Sequence, residues 1–220
     1  MAPKFKTVIF DLDGTLVDSI GSIQCSINEV LADHGYPTHD REAVRGFINF
    51  GSVELVRRAL PEDKRTDEEI ERIHSIYSPI LAKNSATNCL VYDGIIELCK
   101  KLKSEGVKIA VLTNKPEAAA KNCINTYLSE VPFDEIRGMV PGKFVKPDPA
   151  FTEDIMKTLD AQKETTLYVG DSVVDVKTAH NAGILCAGAC WGFHGENGFL
   201  DQVPDFHVWN TDELYNVIMG

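Results

Sequence analysis

The apolar residues in the first third of this chain follow a helical spacing. A short apolar run at residues 7–10 ends at Asp11, and apolar residues then recur every three or four positions from Ile20 to Leu31, the spacing of one helix face. Further helices are predicted at about residues 40–48, 52–60 and 66–83. No convincing strand pattern lies between about residues 18 and 88. We interpret this block as an inserted helical domain, because it is too long for a single crossover.

From about residue 92 the pattern changes to strands that alternate with helices. Short apolar runs predict strands near residues 107–112, 136–139, 166–169, 184–189 and 207–208. Strands that alternate with helices are typical of a parallel, doubly wound sheet. We therefore predict an α/β fold with a core domain of residues 1–17 and 90–220 and an inserted α-helical domain of residues 18–89.

The composition is that of a globular protein, and its charge narrows the range of partners. The 220 residues are 44% hydrophobic and 25% charged, and 22 basic residues against 33 acidic ones give a net charge of -11. A field of this sign repels nucleic acid and anionic membrane surfaces, so we expect neither as a partner. It also repels phosphorylated ligands, and a phosphate site in this chain would therefore need a metal ion or lysines.

Other features favour a cytoplasmic protein. No apolar stretch approaches the roughly 18 residues of a membrane helix, and the apolar run near the N-terminus is too short for a signal peptide. The six cysteines include no Cys-x-x-Cys pair, and we expect reduced, buried thiols, Cys25 among them. We expect a monomer or a homodimer.

Four polar segments follow predicted strands or lie in connecting loops. They are Asp11-Leu12-Asp13-Gly14-Thr15, Thr113-Asn114-Lys115, Lys146-Pro147-Asp148-Pro149 and Gly170-Asp171-Ser172, with Asp175 one helical turn later. Each segment alone can be explained as a turn or a helix cap. Together they would gather four carboxylates at the carboxyl edge of the sheet, where ligands bind in such folds. These carboxylates would repel one another without a divalent cation, and oxygen ligands without clustered His or Cys favour Mg²⁺.

In this order and spacing the four segments resemble the motifs of the haloacid dehalogenase-like phosphatases. The resemblance spans essentially the whole chain and implies a Rossmann-like core with an α-helical cap domain inserted after the first motif. It also implies that Asp11 is the nucleophile that forms an aspartyl-phosphate. Asp13 would be the general acid and base.

The remaining motif residues acquire roles from the same resemblance. Thr113 and the Asn114 amide would bind the phosphoryl oxygens, and Lys146 would neutralise their charge. The implied ligands of Mg²⁺ are the Asp11 carboxylate, the Asp13 backbone carbonyl and Asp171. Asp175 would support the metal through water or by orienting Lys146.

Residues 45–51 of the helical block resemble the substrate-specificity loop of phosphoglycolate phosphatases. The segments Thr113-Asn114-Lys115 and Trp191-Gly192-Phe193 also look like that subgroup. Asn49 and Gly51 are therefore candidate substrate-binding residues. The loop departs from the usual Gly-x-Gly, since Asn49 stands at the first glycine, and Phe47 and Phe50 can also be explained by packing within the helical domain.

We therefore predict a Mg²⁺-dependent phosphatase that hydrolyses a small phosphorylated metabolite, with 2-phosphoglycolate as the first candidate. A β-phosphoglucomutase-like mutase is the alternative within the family. A dehalogenase is disfavoured because Asp13 and Thr15 match the phosphatase version of the first motif. A phospho-ligand binding or regulatory protein without catalysis is the alternative of another class, and the presence of Asp11, Asp13 and Lys146 argues against it.

Overall fold

The computed structural model describes residues 2–48, 51–140, 142–199 and 202–220. It divides the chain into two compact units, Met1–Asp18 with Leu90–Gly220 and Ser19–Cys89. Asp18, which the sequence placed in the helical block, lies in the larger unit. Across the described residues, no helix is long and apolar enough to cross a membrane.

The larger unit is built on a six-stranded sheet in the order β5-β4-β1-β6-β7-β8, with every neighbouring pair parallel. Its strands are β1 (Thr7–Phe10), β4 (Lys108–Pro116), β5 (Glu135–Met139), β6 (Thr166–Gly170), β7 (Leu185–Ala189) and β8 (Phe206–Val208). Its helices are α5 (Ile95–Ser104), α6 (Glu117–Tyr127), α7 (Pro149–Thr158), α8 (Val173–Ala182) and α9 (Thr211–Met219). This sheet confirms the predicted α/β fold.

Strand β1 lies inside the sheet, between β4 and β6. The chain places β4 and β5 on one side of β1 and then β6, β7 and β8 on the other side. Phe10 pairs with Val111 of β4 on one side and with Val169 of β6 on the other. The four residues of β1 are fully buried, because helices cover both faces of a doubly wound sheet. α7 and α8 cover one face, where their apolar residues pack on Ile9 and Leu112. The carboxyl end of β1 is therefore the topological switch point, where such folds bind ligands.

Strand β4 extends farther than the sequence indicated. The apolar run ends at Leu112, but extended backbone continues to Pro116. Leu112 pairs with Arg137 and Pro116 with Met139, so the register of β4 shifts between these pairs. Such an irregularity leaves extra residues outside the ladder and turns their side chains in new directions. Residues 113–115 are the ones affected, and they belong to a polar segment that we expected to follow the strand.

Two short strands were not predicted from the sequence. β2 (Val17–Asp18) and β3 (Leu90–Val91) form an antiparallel pair in which Val17 lies opposite Val91. They lie where the chain leaves the larger unit and where it returns. Two residues are too few to show an alternating pattern, so the sequence could not reveal them.

The smaller unit consists of helices that pack through their apolar faces. The helices are α1 (Ile20–Asp33), α2 (Arg41–Arg45), α3 (Ser52–Ala59) and α4 (Asp67–Asn84). α1 packs on α2 and α4, and α3 packs on α4, around buried residues such as Ile27, Leu55 and Ile73. Thr66 caps α4 by accepting a hydrogen bond from the Glu69 amide. α2 ends at Arg45, three residues before the predicted end, because the chain turns at residues 46–48.

All six cysteines lie among the described residues and none forms a disulfide, as the sequence predicted, but one of them is not buried. Five thiols are buried, whereas Cys25 is exposed. Cys25 follows the buried residues Ser22 and Ile23 on α1 and lies on the opposite side of that helix from its apolar stripe. The apolar residues around it misled the sequence analysis, because their spacing places them on another face.

Candidate active site

Three carboxylates, two after strand ends and one at the start of a helix, meet at the switch point. Asp11 follows β1 and donates its backbone N–H to the Val169 carbonyl at 2.8 Å. Asp171 follows β6, and Asp175 lies in the first turn of α8. One carboxylate oxygen from each of Asp11, Asp171 and Asp175 lies within 4.8 Å of the others, and all three residues are buried. Together with Lys146, described next, these residues form the inner cluster.

Lys146 supplies positive charge to the inner cluster. Its Nζ lies 2.9 Å from Asp11 Oδ1 and 2.7 Å from Asp175 Oδ1. Asn114 holds the backbone of Lys146 through two hydrogen bonds, because its Nδ2 donates to the Lys146 carbonyl at 3.1 Å and its Oδ1 accepts from the Lys146 N–H at 2.8 Å. The Asn114 side chain therefore positions the lysine, a contact that the sequence analysis missed.

Asp175 uses both carboxylate oxygens within the protein. Oδ1 accepts hydrogen bonds from Lys146 Nζ and from Tyr168 Oη at 3.3 Å. Oδ2 accepts from the Ser172 N–H at 3.1 Å and from the Ser172 hydroxyl at 2.6 Å. Of the two supporting roles considered for Asp175, this arrangement favours the orientation of Lys146.

Asp171 is held in a tight cradle and keeps one oxygen unpaired. Its Oδ2 accepts a hydrogen bond from the Phe193 N–H at 2.9 Å. Its buried Oδ1 has no hydrogen-bond partner among the described residues. A Cβ atom at Gly14 or Gly192 would overlap the Asp171 side chain. Trp191, which precedes Gly192, donates from Nε1 to the Thr15 carbonyl at 3.0 Å. Residues 191–193 therefore shape the site. The sequence singled them out by resemblance alone, although their place just beyond the end of β7 also indicated a position at the ligand-binding edge of the sheet.

Burial and the negative charges nearby make Asp11 and Asp171 hard to ionise. Burial raises the pKa of Asp11 to about 7, with a smaller contribution from the negative charge of Asp175, and nearby Lys146 opposes the rise. Burial, together with Asp175 and Asp11, raises the pKa of Asp171 well above its usual range. Burial alone would lower the pKa of Lys146, but Asp11 and Asp175 outweigh it and raise that pKa.

These residues suit a bound cation. A divalent metal ion would favour the ionised carboxylates and reverse the effect of burial on their pKa values. The unpaired Asp171 Oδ1 is a buried acceptor that such an ion can satisfy. The donor set is made of carboxylate oxygens, which hard divalent cations prefer. The acidic group of Asp11, Asp171 and Asp175 can therefore hold a metal ion, with Asp11 and Asp171 offering the oxygens that have no hydrogen-bond partner among the described residues.

A second ion pair lies beside the inner cluster and is called the outer pair here. Lys115 Nζ donates to Asp13 Oδ1 at 2.8 Å and to Oδ2 at 3.2 Å. Thr113 is buried, and its Oγ1 accepts a hydrogen bond from the Lys115 N–H at 3.2 Å. Asp13 and Thr113 were predicted as site residues from the sequence, whereas Lys115 was not assigned a role.

The candidate substrate residues of the helical unit are only partly described. Asn49 and Phe50 lie outside the described residues. Gly51 precedes α3 with a φ of 86°, a backbone conformation that favours glycine. Phe47 packs edge-on against the His39 ring, with 5.1 Å between the ring centroids. That contact favours the packing explanation for Phe47.

Comparisons with known proteins identify the family of this chain. The model of the haloacid dehalogenase-like hydrolase family matches residues 8–189. The chain belongs to this family. Phosphoglycolate phosphatase 1 of Pseudomonas aeruginosa is 34% identical over 217 residues, which are 95% of this chain and 78% of that protein. A phosphoglycolate phosphatase of Mannheimia succiniciproducens is 30% identical over 224 residues, 99% of this chain and 100% of the relative.

Solved structures of family members have the same fold. A crystal structure of a candidate phosphoglycolate phosphatase from Lactobacillus delbrueckii subsp. bulgaricus matches with a TM-score of 0.91 and 27% identity, over 99% of both chains. These relatives confirm the predicted resemblance to the haloacid dehalogenase-like phosphatases. They also confirm the predicted enzyme class, a phosphoric monoester hydrolase.

Proposed function

We propose that this member of the family is a Mg²⁺-dependent phosphatase that works through an aspartyl-phosphate on Asp11. The observation that carries the proposal is the inner cluster, in which Asp11 lies within reach of a lysine and of two further carboxylates. A carboxylate can attack phosphorus without first transferring a proton to a base. Lys146, 2.9 Å from Asp11 Oδ1, is placed to stabilise the negative charge of a phosphoryl group at that atom.

The residues around Asp11 support the other steps. Asp13, two residues farther along the chain, would protonate the leaving oxygen and later take a proton from water. The Thr113 hydroxyl and the Asn114 amide would donate hydrogen bonds to the phosphoryl oxygens. Thr113 is suited to this role because its oxygen accepts from the Lys115 N–H, which leaves the hydroxyl hydrogen available for a ligand.

The proposed metal ligands are the Asp11 carboxylate, the Asp13 backbone carbonyl and Asp171. Asp175 supports the site by holding Lys146. When bound, Mg²⁺ would neutralise phosphoryl charge and orient the substrate. The Phe193 N–H and the two glycines beside Asp171 would keep its carboxylate in place for the ion.

We propose 2-phosphoglycolate as the substrate and the helical unit as a cap domain that excludes water during the first transfer. The curated relatives named as phosphoglycolate phosphatases support this substrate. Asn49 and Gly51 are the proposed contacts of the cap with the substrate. We further propose that the larger unit is the core domain and that the smaller unit is the cap domain.

The first test combines a substrate screen with an Asp11→Asn variant. We expect the wild-type protein to release phosphate from p-nitrophenyl phosphate and from 2-phosphoglycolate only when Mg²⁺ is present. Asp11→Asn should lower turnover by more than about 100-fold while its circular dichroism stays unchanged. Asp148→Asn is the matched control, since Asp148 is an exposed helix cap outside the inner cluster.

Each contrary result removes a defined part of the proposal. Substantial activity of Asp11→Asn would exclude the covalent role of Asp11. Full activity in EDTA would exclude the metal. Conversion of a hexose phosphate into its isomer, in place of phosphate release, would favour the mutase.

A further inference from the structure

Lys115 joins two of the segments that carry the proposed chemistry. Its Nζ donates to both oxygens of Asp13, 102 residues away in the chain, and its backbone N–H donates to Thr113 Oγ1. We propose that Lys115 is a positioning residue that holds the Asp13 carboxyl group where it exchanges a proton with the substrate oxygen. This inference rests on the proposed role of Asp13 as the general acid.

The burial of the outer pair shows which partner fixes the other. The Lys115 side chain is 2% exposed, whereas that of Asp13 is 22% exposed. A buried ammonium group is held close to its acceptors, because moving it away would leave an uncompensated charge in a medium of low dielectric constant. Asp13 borders solvent and would be free to turn away. Lys115 is therefore the fixed member of the pair, and Asp13 is the member that it orients.

The geometry of the contact suits orientation as well as attraction. An ammonium group that contacts both carboxylate oxygens restricts rotation of the carboxyl plane more than a single contact would. The bonds are 2.8 Å and 3.2 Å long, so one oxygen is held more closely than the other.

The irregular part of β4 explains how Lys115 contacts both Thr113 and Asp13. The register of β4 shifts between Leu112 and Pro116, which frees residues 113–115 from regular ladder geometry. Within this short stretch, Thr113 accepts from the Lys115 backbone while the Lys115 side chain extends to Asp13. The same local structure therefore sets the positions of Thr113, the proposed hydrogen-bond donor to the phosphoryl group, and of Asp13, the proposed acid.

The expected effect depends on the leaving group. In the first transfer, the bond from Asp11 to phosphorus forms as the bond from phosphorus to the leaving oxygen breaks. The O–H bond of protonated Asp13 breaks at the same time, and the proton passes to that oxygen, which leaves Asp13 as a carboxylate. An alkoxide needs this proton, whereas p-nitrophenolate is stable enough to leave without it.

The experiment compares Lys115→Met, Lys115→Arg and Asp13→Asn on two esters by kcat/KM, which reports the steps up to phosphoenzyme formation. The esters are p-nitrophenyl phosphate and 2-phosphoglycolate or, if wild-type protein leaves the latter intact, the alkyl monoester that it hydrolyses best in the screen. Lys115→Met should lower kcat/KM by about 10- to 100-fold on the alkyl ester and by less than about threefold on p-nitrophenyl phosphate. Lys115→Arg should recover part of the loss, because a guanidinium can also contact both oxygens.

The double variant tests whether Lys115 acts through Asp13. Adding Lys115→Met to Asp13→Asn should change kcat/KM on the alkyl ester by less than about twofold, since the group to be positioned is already lost. The double variant also removes both charges of the outer pair, so no buried charge is left unpaired. If Lys115→Met alone does not fold, the double variant and Lys115→Arg still decide the question.

The experiment distinguishes failure of the role proposed for Lys115 from failure of the proposed function. Equal losses on the two esters, or a further large loss in the Asp13→Asn background, would overturn the role of Lys115. Wild-type protein that hydrolyses neither ester, or an Asp13→Asn variant with full activity on the alkyl ester, would overturn the proposed function instead. Lys121→Met, which removes an exposed lysine paired with Glu117 on α6, is the control for loss of one positive charge and should match wild type on both esters.

Discussion

The inner cluster and the outer pair place lysines against carboxylates in two different environments. In the inner cluster Lys146 lies between Asp11 and Asp175, and every member is buried. In the outer pair a buried lysine meets the partly exposed Asp13. Solvent screens the outer carboxylate, whereas the inner carboxylates depend on Lys146 and a cation for compensation.

This difference suits the two proposed tasks. A nucleophile and a metal site need charges that stay in one place, and burial with several fixed partners achieves that. An acid that receives protons from water needs access to solvent and a partner that keeps its orientation. The three predictions below test this division, together with the experiments on Asp11 and Lys115.

The largest effect is expected from the loss of Lys146. Lys146→Met should lower turnover of both p-nitrophenyl phosphate and alkyl monoesters by about 100- to 1,000-fold, because it removes the fixed cation next to the reacting group. The equal effect on the two esters distinguishes it from Lys115→Met. Lys143→Met, at an exposed position in the same loop, is the control. A loss confined to alkyl esters would show that the two lysines do the same work.

A smaller effect is expected from a substitution that crowds the Asp171 side chain. Gly192→Ala places a methyl group against the Asp171 side chain, so the carboxylate must shift. We expect the Mg²⁺ concentration for half-maximal activity to rise by about 10- to 100-fold, and Asp171→Ala should raise it further. Gly106→Ala is the control, since Gly106 has a φ of 80° and open space around it. It tests for lost stability without a change in the site. An unchanged Mg²⁺ titration for Gly192→Ala would remove Asp171 from the metal site.

The smallest effect is a pH dependence of stability. The unfolded chain loses the Asp11 proton near pH 3.8, whereas burial raises the pKa of Asp11 in the folded protein to about 7. The folded state therefore binds more protons between these values, and the free energy of unfolding of the metal-free protein falls as pH rises through that window. We expect a loss on the order of 3 kcal/mol from about pH 4 to about pH 7.

Thermal melting in EDTA across this pH range measures the effect. Asp11→Asn should melt with a weaker pH dependence than wild type, and Asp148→Asn should retain the wild-type dependence. Mg²⁺ should raise the melting temperature of wild type more above pH 7 than near pH 5, because it binds the ionised carboxylates. Identical pH profiles for wild type and Asp11→Asn would show that ionisation of Asp11 does not cause the pH dependence of stability.

Much of the site was predictable because its residues lie at strand ends. The apolar runs before Asp11 and Asp171 identify buried strands, and the ends of parallel strands meet at one edge. The segment of Lys146 was found through its motif, although no strand precedes it directly. Three contacts were not predictable in this way, because each joins segments far apart in the chain. They are those of Lys115 with Asp13, of the Tyr168 hydroxyl with the Leu112 carbonyl, and of the Phe193 N–H with Asp171.

The amino-acid sequence alone determined the alternation of strands and helices, the helical insertion and the identity of the acidic residues, because periodicity and local motifs depend on neighbouring residues. Only the tertiary structure decided which lysine meets which carboxylate. Those pairings depend on the order of the strands, on the register shift in β4 and on the close approach of residues 191–193 to Asp171. Such features arise when distant segments pack, and packing is a property of the whole core.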